Sequence, residues 1–293
     1  MHFLLLCILS STAIFVIFKT IDRFNIPALP VIVINYLVAT ILGLIIYPGE
    51  IDPGSILDAR WLPISIIIGI MFILLFFLVA YSTRKAGLSV TTVAAKMSVI
   101  FPIIFSLVID PSDKLTFLKS IAVLISLAGV MLSVYKPERD NPDRAAIYIP
   151  LLLFAGMGVV DSLVKLAQQQ YVSDPEIALF SAVLFLNALV SGTLAILLLR
   201  KHNRHFLKGA TWGWGMLLGA VNFGSVFFIV KALNYRPVPG KSMDGSVIFG
   251  ANNISIVALS VLVGLVIFRE KLIHINWIGI GLSVLALLLF TMV

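Results

Sequence analysis

Charge is scarce in this chain: Asp, Glu, Lys and Arg together make up 12% of its 293 residues, roughly half the share of a soluble globular domain. Cysteine is nearly absent. The single Cys7 permits no intrachain disulfide, so it carries no information on redox compartment. The four histidines, His2, His202, His205 and His274, stand at a terminus or in polar connections. There is no H-E-x-x-H pair, no G-x-S-x-G, no phosphate-cradling glycine loop and no cysteine–histidine metal spacing. The expectation is a non-enzyme with no cofactor and no metal. Long polar connections are missing too: even the longest, about 48 to 61, and others such as 136 to 145, are too short for a soluble catalytic or binding domain.

What is present is apolar: 60% of residues are hydrophobic and the mean hydropathy is +1.09. Ten runs of such residues follow one another, at about 3–21, 28–47, 62–83, 88–109, 116–135, 146–170, 177–199, 211–234, 246–268 and 272–292. As helices, runs of this length cross a hydrocarbon core of about 30 Å. They are continuously apolar rather than alternating, which excludes a strand barrel. The predicted fold class is therefore an all-α integral membrane protein with ten transmembrane helices, surrounded by lipid bilayer. The first run lacks the basic start and small-residue cleavage site of a signal peptide and reads as a retained helix.

The net charge of +7 is spread through short connections, which argues against a nucleic-acid partner. Arg23, Arg84, Lys85, Lys136, Arg139, Arg144, Arg200, Lys201, Arg204, Lys208, Arg269 and Lys271 fall on one side of the predicted topology, and only Arg60, Lys114, Lys119, Arg236 and Lys241 on the other. The positive-inside rule makes the richer side cytoplasmic and puts both termini outside, in a multi-pass protein of the inner (plasma) membrane.

The last fifty residues replay a stretch near the middle. Asp113-Lys114-Leu115 falls on Glu270-Lys271-Leu272, and with a one-place slip Leu107-Val108-Ile109 falls on Leu265-Val266-Ile267. Upstream, Phe76-Phe77-Leu78-Val79 answers Phe227-Phe228-Ile229-Val230. The chain thus reads as two units, 1–139 and 140–293. Five spans per unit is an odd number, so the second unit enters the membrane in the opposite sense. Inverted repeats of this kind commonly hold a substrate site at their interface and expose it to each side in turn.

Polar residues inside the spans are the candidates for that site, since a charge at the bilayer centre costs at least about 2.5 kcal/mol. Lys96 is the deepest, and Ser89, Thr92 and Lys96 share one helix face by their spacing. In the repeat register Ser89 answers Ser246 and Lys96 answers Asn253. Lys96, Thr92, Asn252, Asn253 and Asn222 form the predicted substrate-binding set, with Lys96 meeting an anionic group and the asparagine amides orienting it. The competing structural reading of Lys96 is a plain ion pair with a carboxylate. Asp161 and Lys165 stand four residues apart on one face, and Asp161 is the one acid well inside a span. They form the predicted ion-coupling pair, with a proton as the coupled ion and a structural ion pair as the alternative. Lys19 answers Lys165, and both lie near span ends, where a lysine can snorkel. Asn35 answers Asn187, and both are expected to make interhelical hydrogen bonds. Glu270 and its counterpart Asp113 are expected to cap the helices they open, or to rim a gate. Trp61, Trp212, Trp214 and Trp277 stand at span ends as an aromatic belt does.

Two five-span units, each with an acid-Lys-Leu turn leading into an apolar, glycine-bearing helix (DPSDKLTFLKSIAVLISLAGVMLSV and FREKLIHINWIGIGLSVLALLLF), resemble the EamA-type branch of the drug/metabolite transporter superfamily. The resemblance spans nearly the whole chain and is strongest over 246–292. It implies a secondary carrier, often an exporter of amino acids or related metabolites. Spans three, four, eight and nine would line its central cavity, and spans five and ten would support it or form a dimer contact. Two departures stand out: Asp110-Pro111-Ser112-Asp113 replaces Phe268-Arg269-Glu270, and Ser10-Ser11-Thr12 stands where the family often has tryptophan and glycine.

The expected function is alternating-access transport of a small polar metabolite of amino-acid or organic-acid type, in the export direction. Export of lipophilic or cationic compounds, and a non-transporting membrane scaffold, are the competing readings. The outward apolar faces are compatible with either a monomer or a homodimer.

Overall fold

The computed structural model describes residues 2–101, 104, 116–135, 145–172, 176–199, 206, 208–233 and 245–290. Eleven helices are described: α1 His2–Arg23, α2 Ala28–Ile46, α3 Pro53–Leu57, α4 Leu62–Lys85, α5 Leu88–Met97, α6 Phe117–Val134, α7 Ala145–Gln170, α8 Ile177–Leu199, α9 Gly209–Leu233, α10 Gly245–Val266 and α11 His274–Phe290. Six of these, α1, α2, α4, α7, α8 and α9, are long and apolar enough to cross a membrane, and α6, α10 and α11 contain shorter apolar stretches. The protein is a multi-pass α-helical membrane protein. In lipid no water is available to backbone groups, so a continuous apolar run satisfies them internally by forming a helix.

Two segments depart from the sequence expectation. The connection after α2 contains α3, nucleated where the Asp52 carboxylate accepts from the amides of Gly54 and Ser55 ahead of an otherwise polar stretch. The fourth apolar run is not one unbroken helix. Regular α-helix stops at Met97, residues 98 and 99 form a turn, and helix is present again at Ile100. Much of the remainder of that run lies outside the described residues.

The helices pack chiefly between the two sequence halves: α2 against α8 and α9, α4 against α7 and α8, α1 against α9 and α10, α5 against α7 and α10, and α6 against α11. Polar side chains tie two of these contacts. Asn35 on α2 accepts from Asn222 on α9 at 3.1 Å, and Asn187 on α8 donates to Ser65 on α4 at 3.0 Å. The two asparagines expected to bridge helices do so, each into the opposite half. Close approach at these crossings relies on missing side chains. A Cβ on Gly69 would lie 2.6 Å from that of Asn187, and one on Gly219 would lie 2.8 Å from the Asn35 carbonyl oxygen.

The α6–α11 pair is a separate clasp. A Cβ on Gly279 would lie 2.3 Å from the Ser133 backbone nitrogen, and one on Gly129 would lie 2.9 Å from that of Ser283. Asn276 locks its end. Its amide group donates to the carbonyls of Ser133 and Tyr135, each at 2.9 Å, and its oxygen accepts from the Ile273 amide. The Asn276 side chain thereby ties the last turn of α6 to the residue that precedes α11.

An aromatic cluster of Tyr36, Phe72, Phe76 and Phe185 fills the space between α2, α4 and α8. Trp61 is not part of an aromatic belt. It is 2% exposed and packs edge-on against Phe180, because the chain between α3 and α4 folds inward there. Trp212 and Trp277 remain exposed at helix ends.

Candidate functional site

The turn at residues 98 and 99 lies where α5 faces α7, and it assembles the only close polar contact between them among the described residues. The Ser98 hydroxyl lies 2.9 Å from Asp161 Oδ2 on α7 and 2.7 Å from the Ala95 carbonyl oxygen. A hydroxyl has one proton and two lone pairs. It can share that proton between both acceptors when Asp161 is ionised. When Asp161 is protonated it can accept from the carboxyl while donating to Ala95. The contact therefore fits either state of the acid without moving an atom. Asp161 is an exposed side chain despite its mid-span position.

Lys96 is half-buried in the last turn of α5, two residues before Ser98. It makes no ion pair and no hydrogen bond among the described residues. The plain ion pair with a carboxylate is therefore not formed among the described residues. An ammonium held mid-span without a bonded partner has three donors available. Cys7 is 1% exposed, and its thiol donates to the Ser225 carbonyl of α9 at 3.2 Å.

The other predicted site residues are distributed unevenly. Thr92 is fully buried, and its hydroxyl is returned to the Leu88 carbonyl of its own helix at 2.9 Å. Asn252 on α10 is 6% exposed, with its amide oxygen buried and unpartnered. Asn253 is half-buried one residue further on. Asn222 is committed to Asn35, so its amide nitrogen joins helices. The side chain of Lys165 lies outside the described residues, as does Asp113. Among the described residues no group of three His, Cys, Asp or Glu stands near enough together to hold a metal ion.

A second polar centre lies at the end of the molecule that carries Arg23, Arg84 and Arg269. Glu270 does not cap α11, the helix it precedes. Its carboxylate reaches the start of α5, accepting from the Leu88 amide, from the Ser89 amide at 3.1 Å and from the Ser89 hydroxyl at 2.8 Å. Lys19 on α1 stands 3.6 Å from the same carboxylate and donates to the Thr83 carbonyl of α4 at 2.7 Å. One acid and one base thus serve both sides of the α4–α5 corner: the carboxylate at a helix N-terminus, the ammonium at a helix C-terminus, each matched to the local dipole. Gly87 makes the corner. Its φ of +101° suits glycine, and a Cβ there would lie 2.8 Å from Glu270 Oε1. The spacing of Ser89 pointed to this face, but nothing local in the sequence tied it to Glu270. A surface cavity of about 660 Å³ opens beside the cluster, lined by Lys19, Asp22, Arg23, Ile267, Phe268 and Arg269.

No family model matches the chain. A protein of Haemophilus influenzae, described only as uncharacterized, is 24% identical over 298 aligned positions that cover 98% of this chain and 96% of its own length. A protein of known crystal structure shares the fold, with a TM-score of 0.57 at 15% identity over 97% of this chain and 98% of its own. The class that fold and sequence define is a multi-pass helical membrane protein with transporter-like packing.

Proposed function

We propose that the chain is a secondary transporter of the EamA type, built from ten membrane helices in two inverted five-helix repeats, 1–139 and 140–293. It moves a small polar metabolite of amino-acid or organic-acid type out of the cell across the inner membrane by alternating access. The observation that carries this reading is the Ser98–Asp161 contact at the interrupted helix, two residues beyond Lys96, which makes no ion pair or hydrogen bond among the described residues. Unwound or broken helices at mid-membrane are where transporters of this construction hold substrate and coupling ion. Lys96 meets a carboxylate or similar anion, Asn252 and Asn253 orient it, and Asp161 carries the coupled proton, the Ser98 hydroxyl donating to it when ionised and accepting from it when protonated. The cross-half contacts support the inverted arrangement, because α2–α9 and α8–α4 are the same contact with the halves exchanged.

The cation-exporter reading draws on Asp161 alone. The lipophilic reading has less support, since Phe76 and Phe185 of the aromatic cluster are buried in packing contacts.

The test is counterflow in proteoliposomes with labelled amino acids and organic acids, beside Lys96→Ala. Uptake by the wild type that is lost in a folded variant supports the reading. Normal transport of every substrate by Lys96→Ala removes the site assignment. A preference for cations that depends on Asp161 favours the alternative, and no uptake of any compound by folded wild-type protein favours a scaffold.

A further inference from the structure

The Glu270 cluster joins parts of the molecule that are distant in sequence. Its carboxylate comes from the turn between α10 and α11, its amide and hydroxyl donors from α5, and its ammonium from α1. The cluster lies on the helix that carries Lys96. Ser89, Thr92 and Lys96 form one stripe, so Glu270 grips the outer end of the face whose inner end presents the free ammonium. The carboxylate is 10% exposed and the Lys19 side chain 20%, so both groups sit at a boundary between the cavity outside and the packed interior. Beneath them Ser82, Ser89, Thr91 and Thr92 are all fully buried. The interior next to the cluster is thus closely packed.

We propose that Glu270 is a latch that shuts the basic end over the Lys96–Asp161 site, and that its carboxylate releases the start of α5 when the site opens to that side. The proposal rests on the alternating-access reading above, and it adds the residue that holds one of the two states. A carboxylate bound to two backbone amides, a hydroxyl and an ammonium is held firmly, yet each of those bonds is replaceable by water once the end opens. A packed apolar contact would offer no such exchange. Lys19 completes the latch by fixing the last turn of α4, so releasing Glu270 frees the corner at Gly87 as a unit. The sequence repeats the three residue types, with Asp113 answering Glu270, Ser246 answering Ser89 and Lys165 answering Lys19. Those side chains lie outside the described residues, and the inference stands on the Glu270 set alone.

The test is thiol accessibility below the latch. In a Cys7→Ser background, Thr92→Cys places a reporter one turn inside Ser89, and a water-soluble maleimide is added to the purified protein in detergent. Glu270→Gln is expected to speed labelling about tenfold or more, because the charge is lost and one of the two acceptor oxygens becomes an NH2 group facing the donors of α5. Lys19→Met, which leaves the backbone amides capped, is expected to give a smaller increase. Ser133→Cys, buried in the distant α6–α11 clasp, is the control and stays slow in both variants. Equal Thr92→Cys labelling with and without Glu270→Gln, or a parallel rise at Ser133→Cys, overturns the latch and leaves a static cap. If Glu270→Gln does not fold, Lys19→Met decides on the same terms. No substrate enters this measurement, so failure of the transport assay and failure of the latch are separate results.

Discussion

The hydroxyl of Ser98 lies 2.9 Å from Oδ2 of Asp161 and joins the interruption of α5 to the middle of α7. Either protonation state of the acid suits that contact, and so does a carboxamide, whose oxygen accepts as the carboxylate does. Asp161→Asn is therefore expected to fold with a melting temperature near that of the wild type. In proteoliposomes it should retain substrate exchange and lose accumulation driven by a pH gradient. Gradient-driven accumulation at the wild-type rate would take the proton away from Asp161.

The asparagines between the halves make a stability prediction. Asn222→Ala and Asn35→Ala each remove the same hydrogen bond between α2 and α9. Interhelical bonds of this kind in membrane proteins contribute about 0.6 kcal/mol on average and up to about 1.7. The double variant should be less destabilised than the sum of the two single ones by an amount in that range, measured by reversible denaturation in detergent. Full additivity would mean that Asn222 does not act through Asn35, and would return it to the substrate-binding set.

Two glycines of α11 distinguish packing from propensity. Gly279→Ala puts a methyl group 2.3 Å from the Ser133 nitrogen, whereas Gly281→Ala meets nothing within 4 Å. Overpacking costs about 1 to 3 kcal/mol, while alanine for glycine in a helix gains up to about 1 kcal/mol. A lower melting temperature is expected for Gly279→Ala and an unchanged or higher one for Gly281→Ala. The opposite order would contradict the α6–α11 clasp.

The helical membrane class was legible because backbone groups in lipid leave a continuous apolar run few alternatives. The interhelical role of Asn35 and Asn187 was legible for the same reason, since a buried amide in a span needs a partner. The destination of Glu270 was not. An acid at the start of a helix suggests a local cap, and only the three-dimensional approach of α5 supplies better donors. The turn at Ser98 was overlooked although the sequence held its signal: Pro102 stands four residues on and has no N–H to offer the Ser98 carbonyl. Trp61 resembled an interfacial residue until the inward path of its connection was known.

The pairing of α2 with α9 and of α4 with α8 has a consequence for synthesis. When the ribosome has delivered α1 to α6, Asn35 still lacks Asn222 and Ser65 still lacks Asn187, because both partners have yet to be translated. The first half waits in the membrane with the Asn35 amide oxygen unpaired, the Ser65 hydroxyl bonded only to the Leu62 carbonyl of its own helix and Gly69 without its α8 neighbour. Assembly is thus largely post-insertional, and the two halves depend on each other as the subunits of an obligate dimer do. A chain cut between α6 and α7 would regain its fold when the two pieces are made in the same cell, and neither piece would persist alone.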